Sequence, residues 1–342
     1  MTDLSTLARD PEWLPHRIDP AAGTLQFLHI PRGDLSGPQF LAERTPATPA
    51  DEAFLPLDAL DALGAEQPDP GPLHFIFHTA FCRSTLLVRA LDIPGTAAGL
   101  SEPGILVSLT NMGDAGRPLV KPMLDLLARR HGSGDGEGEA AVVVKPTNHA
   151  NRLIPALLDA CPDAKAVLMT NPLPAFLAAV VRKGMMGRRW GRQLYLETMG
   201  YAGMDLGMDA REQFAMTDLQ AAGLAWFLNQ RYFAMLLDRY PGRLRTLDGD
   251  AFNARRAETL TAVAELFDLP LDTGRAAEIA KGRVFASHSK RGGDFNATAA
   301  KDNERAHSPL VEEEIKQVGQ WIDIVAQQAG LQLPATTRTP LL

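Results

Sequence analysis

The residues best suited to bind an anion lie between Thr79 and Thr85, in the run Thr-Ala-Phe-Cys-Arg-Ser-Thr. An apolar, β-rich segment precedes them, and apolar residues at helical spacing follow from Leu86 onward. A strand that leads directly into a helix leaves backbone N–H groups unpaired at the positive end of the helix dipole. Such a turn favours phosphate or sulfate, and Arg83 and Ser84 add a cation and a hydroxyl. The sequence predicts an anion-binding loop made of Thr79, Ala80, Phe81, Cys82, Arg83, Ser84 and Thr85.

The loop departs from the common phosphate-binding patterns. A Walker A loop reads G-x-x-x-x-G-K-[ST], whereas here Arg83-Ser84 stands for the Lys-Ser pair and Phe77 and Cys82 occupy the glycine positions. A C-x5-R phosphatase loop fails by one residue, because Val88 holds the arginine position. An ordinary strand-to-helix turn is the alternative interpretation.

Composition limits the classes of function. The chain has 342 residues and a net charge of −7, which argues against nucleic-acid binding through the overall field. The sequence shows no apolar run of membrane-spanning length and no signal-peptide core, so we expect a cytoplasmic protein without membrane contact. Cys82 and Cys161 do not make a disulfide framework, and the eight histidines show no ligand spacing, so no metal is expected.

Alternating strands and helices begin near residue 72. The strands are expected at 73–78, 98–101, 140–145, 164–169 and 243–247. The helices are expected at 84–92, 103–112, 117–131, 150–160, 172–183, 211–239, 252–267, 272–282 and 309–329. This order predicts an α/β fold of the three-layer P-loop type, with a mostly parallel sheet of about five strands and helices on both faces. We expect an N-terminal extension with some β structure at 1–70, the α/β domain at 71–332 and a C-terminal tail at 333–342.

Polar residues follow each predicted strand. In open α/β sheets the ligand lies beyond the carboxyl ends of the strands, so these residues are expected near one edge. Besides the loop, they comprise Ser101-Glu102-Pro103, the segment from Lys145 to His149, Thr170-Asn171-Pro172, and Asp248-Gly-Asp250.

The order of these segments resembles the P-loop sulfotransferase family, whose members use 3′-phosphoadenosine 5′-phosphosulfate (PAPS) as sulfuryl donor. The run from Phe81 to Leu87 is similar to the family's P-[KR]-[ST]-G-[ST]-[ST] loop, and Glu102-Pro103 resembles the "EP" of some branches. Val144-Lys145-Pro146, followed by a helix and the run 161–172, resembles K-x-P and F-P-x-A-K-x-I-x-x-x-R-[DN]-P. The runs 244–252 and 290–295 are similar to V-L-x-L-x-Y-E-D-L and R-K-G-x-x-G-D-[WF]. The resemblance covers about residues 72–325 and indicates a divergent member.

The resemblance implies PAPS as co-substrate and a small-molecule hydroxyl or amine as acceptor. Lys145 then contacts the leaving phosphate–sulfate bridge. Transfer to a hydroxyl needs a base, and Glu102 and His149 are the two candidates. Two positions depart from the family, since Thr170 replaces an arginine and Ala178 a serine that bind the 3′-phosphate. Either Arg182, Lys290 and Arg291, with the backbone of Gly292, compensate for these losses, or the donor is not PAPS.

Other interpretations remain open. A basic cluster, 182–192, with interleaved Met and Trp, predicts a mobile lid, an acceptor-binding loop or a plain surface loop. A nucleotide-dependent kinase is possible if Asp248 or Asp250 reaches the loop to hold magnesium. A non-catalytic nucleotide- or anion-binding protein on the same fold is the third hypothesis. Neither the identity of the acceptor nor the oligomeric state is readable from the sequence.

Overall fold

The computed structural model describes residues 2–37, 40–132, 138–286 and 308–342. The chain divides into two compact units. The first comprises Met1–Phe77, Ser84–Val167 and Arg255–Gly292, and the second comprises His78–Arg83, Leu168–Ala254 and Gly293–Leu342. The short segment His78–Arg83, which contains most of the predicted anion-binding loop, therefore belongs to the second unit.

The first unit begins with a three-stranded antiparallel sheet. Strands β1 (Trp13–Asp19), β2 (Thr24–His29) and β3 (Glu52–Pro56) lie in the order β1-β2-β3. Leu14 pairs with Leu28 and Phe27 with Ala53, so the register places apolar side chains opposite one another. The predicted β structure of the N-terminal segment is present.

A five-stranded parallel sheet flanked by helices defines the fold class, which confirms the α/β prediction. Its strands are β4 (Leu73–His78), β5 (Ala97–Ser101), β6 (Ala141–Lys145), β7 (Ala166–Thr170) and β8 (Leu244–Asp248). They lie in the order β5-β6-β4-β7-β8. Every residue of β4 to β7 is buried, which explains their nearly continuous apolar sequences.

Each predicted helix has a counterpart among the described α-helices, and the chain has further helices that were not predicted. In chain order the described α-helices are α1 (Leu4–Arg9), α2 (Leu60–Glu66), α3 (Ser84–Leu91), α4 (Gly104–Met112), α5 (Val120–Leu127), α6 (Ile154–Ala160), α7 (Leu173–Arg182), α8 (Gly184–Ala202), α9 (Ala210–Ala215), α10 (Asp218–Arg239), α11 (Gly249–Ala254), α12 (Arg256–Phe267), α13 (Thr273–Lys281), α14 (Arg283–Ala286) and α15 (Pro309–Gln328). None of these described helices combines the length and the apolar character that crossing a lipid bilayer requires.

Helix α10 is the core of the second unit. It buries Trp226, Phe227 and Phe233, as the apolar sequence of this segment predicts. Glycine permits two close helix contacts. A Cβ added at Gly191 of α8 meets Ala222 of α10 at 2.9 Å, and one at Gly223 of α10 meets the side chain of Val318 of α15 at the same distance.

Two predictions about this region are wrong. The single helix expected at 211–239 is two helices, because Thr217 begins α10 with a capping box to Gln220 and Asp209 begins α9 in the same way. The surface loop expected at 182–192 is instead mostly helix α8, which begins at Gly184, a residue with a φ of 61°. A role for this segment as a lid stays a prediction. Its Arg192 pairs with Asp218, which fixes the helix to α10.

Candidate functional site

The loop that follows β4 has an unusual backbone. Three of its residues, Ala80, Phe81 and Arg83, have positive φ angles of 71°, 57° and 64°. For a residue with a Cβ this left-handed conformation costs about 1–2 kcal/mol. Such outliers persist only where neighbouring contacts enforce them, and they cluster at functional sites. The backbone conformation therefore singles out Thr79–Arg83 independently of any sequence motif.

Neutral hydrogen bonds from the segment after β7 hold this conformation. The Asn171 side-chain amide donates to the carbonyl oxygen of Phe81 at 2.8 Å. The indole Nε1–H of Trp226 donates in turn to the carbonyl oxygen of Asn171 at 2.8 Å. The Phe81 ring packs edge-on against Trp190, with ring centroids 5.1 Å apart. Both the backbone and the side chain of Phe81 are thus fixed.

Gly249 brings the start of α11 against the same loop. A Cβ built at this position lies 2.5 Å from the carbonyl oxygen of Cys82 and also overlaps Oδ1 of Asn171. No side chain larger than hydrogen fits there without a shift of the loop. The glycine of the Asp248-Gly-Asp250 run is therefore required by close packing.

Two amides of the loop donate within the protein. The N–H of Thr79 donates to the Met169 carbonyl oxygen at 3.1 Å, which continues the sheet ladder, and the N–H of Ala80 donates to Nδ1 of His78 at 3.0 Å. These two groups are therefore engaged within the chain. Helix α3 begins at Ser84, and the first N–H groups of any α-helix have no carbonyl partner inside that helix. Binding of an anion by residues 79–85 stays a prediction, and its donors are expected at the helix end of the loop.

Arg83 supplies the cation of the loop. Its Nη1 lies 2.6 Å from Oδ1 of Asp250 and 3.3 Å from the carbonyl oxygen of Gly249. The two side chains of this ion pair are 36% and 53% exposed, so the pair is worth little and its arginine is easily recruited by another anion. Cys82, by contrast, is fully buried, and its Sγ lies 3.6 Å from the Met169 carbonyl oxygen, as expected of a packing residue.

Thr170 lies in a sealed, uncharged network. Its Oγ1 is 3.1 Å from Oγ1 of Thr79 and accepts from Nε2 of Gln230 at 2.6 Å. Gln230 in turn accepts from the N–H of Ala335 at 2.7 Å. The Thr170 hydroxyl is thus hydrogen-bonded on both sides within the protein, so this position is committed to structure.

In the first unit, β5 and β6 bring Glu102 and Lys145 together. Lys145 is the last residue of β6, Glu102 follows β5, and the ammonium nitrogen Nζ forms an ion pair with Oε1 of Glu102. The lysine side chain is 0% exposed and the glutamate side chain 17%. Nζ also lies 5.3 Å from the centre of the Phe40 ring. A buried charge is tolerated only when it is paired, and Glu102 supplies that pairing.

The backbone of Glu102 is also strained. Its φ is 57°, although glutamate carries a Cβ. Its N–H donates to the Lys145 carbonyl oxygen at 2.8 Å, and its own carbonyl oxygen accepts from the N–H of Ala42 at 2.9 Å. These bonds aim the carboxylate at the lysine. The sequence predicts that the polar residues at these two strand ends lie near one edge of the sheet, and in the structure Glu102 and Lys145 are in contact.

Two of the remaining predicted residues, His149 and Arg182, lie among the described residues. His149, the second candidate base, lies with Nε2 3.0 Å from Oδ1 of Asn111 in α4. Arg182 is the last residue of α7. Lys290, Arg291 and Gly292 lie outside the described residues, so their predicted part in phosphate binding stays a prediction.

Comparison with known proteins adds little. No protein-family model and no curated protein matches this sequence. Among solved structures, the chain is similar to the "Sulfotransferase Domain from the Curacin Biosynthetic Pathway", with 14% identity over 78% of this chain and 99% of that domain, and with a TM-score of 0.41. A likeness of this size carries no argument about function. The class that the chain itself defines is an α/β protein with a five-stranded parallel sheet.

Sequence reasoning missed the residues that enforce the loop conformation. Asn171 and Gly249 appear in the sequence only as members of the Thr-Asn-Pro and Asp-Gly-Asp runs. Their position after predicted strands marks them as polar or turn residues of interest, but not as partners of Phe81 and Cys82. Gln230 and Trp226 lie within an apolar helical pattern that gives no signal of a polar role.

Proposed function

We propose that this protein is a sulfotransferase-like enzyme that moves a sulfuryl group from PAPS to a hydroxyl or amine of a small-molecule acceptor. The observation that supports this best is the strained loop Thr79–Arg83, which follows a buried parallel strand and leads into α3. Strain held by dedicated contacts at such a turn is typical of a binding site for an anionic group.

The chain fits one end of the donor better than the other. Arg83 and the hydroxyls of Ser84 and Thr85 suit the 5′-phosphosulfate, since each offers a donor and the helix dipole adds to them. Thr170 stands where the resembling family has an arginine for the 3′-phosphate, and its hydroxyl is hydrogen-bonded to Thr79 and Gln230 instead. We therefore assign the 3′-phosphate to Arg182 and to Lys290, Arg291 and Gly292.

Sulfuryl transfer requires the protein to stabilise the charge on the leaving group and to supply one proton acceptor. The acceptor oxygen or nitrogen forms a bond to sulfur while the bond from sulfur to the bridging phosphate oxygen breaks. The electron pair of that bond stays on the phosphate oxygen, whose charge the ammonium of Lys145 stabilises. The proton of the acceptor passes to Glu102 or to His149. Because the contact with Lys145 fixes the position of its carboxylate, we favour Glu102 as the base.

Binding of the donor product tests the first half of the proposal. We expect adenosine 3′,5′-bisphosphate to raise the melting temperature, and ATP with magnesium to have a smaller effect. Replacing Arg83 by Met should weaken bisphosphate binding about 10- to 100-fold, the range for loss of one charged hydrogen bond.

Asp250→Asn is the matched control. It removes the carboxylate that competes for Arg83 while preserving the shape of the side chain. If Arg83 binds the donor, this variant binds the bisphosphate as tightly as the natural protein or more tightly. Equal weakening in the Arg83→Met and Asp250→Asn variants would assign Arg83 a purely structural role. Release of the bisphosphate from PAPS in the presence of an acceptor tests the transfer itself.

The kinase hypothesis gains no support from the two aspartates on which it depends. Asp250 pairs with Arg83, and Oδ1 of Asp248 accepts from the N–H groups of Asp250 and Ala251 at 2.8 and 2.9 Å. Asp248 thus caps α11, and Asp250 reaches the loop only to neutralise its arginine.

A further inference from the structure

The first unit contains a pocket between strand β1 and helix α4. Its volume is 440 Å³, within the range of small-molecule sites. One wall is the end of strand β1, with His16, Arg17 and Ile18, and the other is helix α4, with Ser108, Asn111 and Met112. Arg17 and Asn111 are exposed, so the pocket opens to solvent on that side.

Two tight contacts build the walls. A Cβ added at Gly104, at the start of α4, meets the His16 carbonyl oxygen at 2.8 Å and its Nδ1 at 3.0 Å, so glycine is needed for the helix to approach β1. The N–H of Ile18 donates to the hydroxyl oxygen of Ser108 at 3.3 Å. The pocket is therefore a formed feature of the packing between the N-terminal sheet and α4.

The polar lining of the pocket combines one cationic side chain with a neutral imidazole. Arg17 contributes the one charged side chain of the lining, and it forms no ion pair with any residue that the structure describes. His16 is buried, and burial together with the nearby Arg17 lowers its pKa to about 4, so it is neutral at neutral pH. Ile18, Val107 and Met112 supply apolar surface. A neutral imidazole, an unpaired guanidinium and an apolar floor together suit an anion with an apolar body.

Two lining residues of the pocket contact the candidate bases. Gly104 and Ala42 belong to its lining, and Glu102 lies two residues before Gly104 and accepts a hydrogen bond from the N–H of Ala42. Asn111 is in contact with His149. A ligand held here lies along the same helix that begins beside the Lys145–Glu102 pair.

From this arrangement we infer that the pocket binds a small organic acid, with its carboxylate on Arg17 and its apolar body against Ile18, Val107 and Met112. Its identification as the acceptor site, with a hydroxyl of the acid directed towards Glu102 or His149, rests on the proposed function. The binding of the acid itself does not.

The experiment compares three probes of one shape in titration calorimetry: 3-(4-hydroxyphenyl)propanoate, its amide, and tyramine. We expect the carboxylate to bind and the amide and the amine to bind at least tenfold more weakly. Arg17→Gln should raise the dissociation constant of the carboxylate about tenfold, because one charged hydrogen bond is lost. Arg17→Lys keeps the charge and should retain part of the affinity that Arg17→Gln loses. Arg17 is exposed and makes no ion pair with described residues, so these variants are expected to fold.

The inference is overturned if the carboxylate and its amide bind equally, or if Arg17→Gln leaves the carboxylate unaffected. Adenosine 3′,5′-bisphosphate separates this failure from failure of the proposed function. If the bisphosphate binds and no probe does, the pocket assignment is wrong and donor binding stands. If the carboxylate binds through Arg17 while no bisphosphate binds, the pocket stands and sulfuryl transfer falls.

Discussion

The loop Thr79–Arg83 and the Lys145–Glu102 pair hold their charged side chains in place by different means. In the loop, neutral hydrogen bonds and a glycine contact force non-glycine residues into left-handed backbone, and the only charge is on a half-exposed arginine. In the pair, a fully buried ammonium is matched by the carboxylate of Glu102. The first region thus depends on an enforced, strained backbone, and the second depends on a buried charge that is paired. The two should therefore respond differently to mutation.

The largest effect is expected at the ion pair. Lys145→Met leaves the Glu102 carboxylate without its partner, which should cost about 3–5 kcal/mol of unfolding free energy. Urea denaturation measures this loss. Under the proposed function, loss of charge stabilisation also lowers the rate of transfer about 10²- to 10³-fold.

The double variant Lys145→Met with Glu102→Gln separates these roles. It replaces both charges, so most of the stability should return, because no unpaired charge remains. Activity should stay low. A double variant with restored activity would show that the pair serves stability alone.

Acidic pH should destabilise the first unit, which contains the Lys145–Glu102 pair. Burial lowers the pKa of His16 and His74 to about 4 and that of His131 to about 3. An unfolded histidine takes up its proton near pH 6.5, whereas these three stay neutral in the folded state. The stability that they confer is present above pH 6.5 and is lost as the pH falls from 6.5 towards 4.

Denaturation midpoints at pH 7, 6 and 5 check this prediction. Each histidine contributes a slope of about 1.4 kcal/mol per pH unit once its unfolded form is protonated. His74→Asn keeps an acceptor for the Lys165 N–H and removes one titrating group, so the slope should fall by about a third. A stability that is constant from pH 7 to pH 5 would contradict the assignment of these histidines as neutral.

Gly249→Ala should disturb the loop and spare the ion pair. Its Cβ overlaps the Cys82 carbonyl oxygen, and overpacking of this kind costs about 1–3 kcal/mol. We expect lower stability together with weaker bisphosphate binding. Gly319→Ala in α15 is the control, because a Cβ there meets no atom within 4 Å and alanine favours the helix. Equal stability and equal bisphosphate binding in the two variants would show that close packing at Gly249 does not hold the loop.

The smallest effect is expected from relief of strain. Ala80→Gly removes the penalty of a φ of 71° but makes the unfolded chain more flexible, so the net gain should be below about 1 kcal/mol. Ala178→Gly in the interior of α7 should instead lose about 1 kcal/mol. Thermal unfolding of both variants measures the difference. Equal losses would mean that Ala80 is unstrained.

Much of the fold was predictable because its signals are local. Strands β4 to β7 are largely apolar runs, and the boundaries predicted for all five strands agree with the observed ones to within two residues. The capping boxes at Asp209 and Thr217 also lay in the sequence, and attention to them would have divided the helix predicted at 211–239. Helix α8 was missed because its basic residues resemble a surface segment, whereas Gly187 and Gly191 are buried in its packing.

The candidate site was predictable only in part. Lys145 and Glu102 were found because Lys145 ends one parallel strand and Glu102 follows another. The clamp from Asn171 to Phe81 and the fit of Gly249 against Cys82 join residues 90 or more positions apart, which no periodicity reports. The sequence likewise did not predict the positive φ angles of Ala80, Phe81 and Arg83, because glycine is the residue that normally indicates such a conformation.

Titration of isotope-labelled protein with adenosine 3′,5′-bisphosphate, followed through the backbone amide signals, tests the anion-binding loop most directly. The account predicts that the amides of Arg83, Ser84 and Thr85 shift most, that those of Thr79 and Ala80 shift less because they are bonded within the protein, and that sulfate produces a weaker version of the same pattern. Unchanged signals from residues 83–85 at saturating bisphosphate would contradict it.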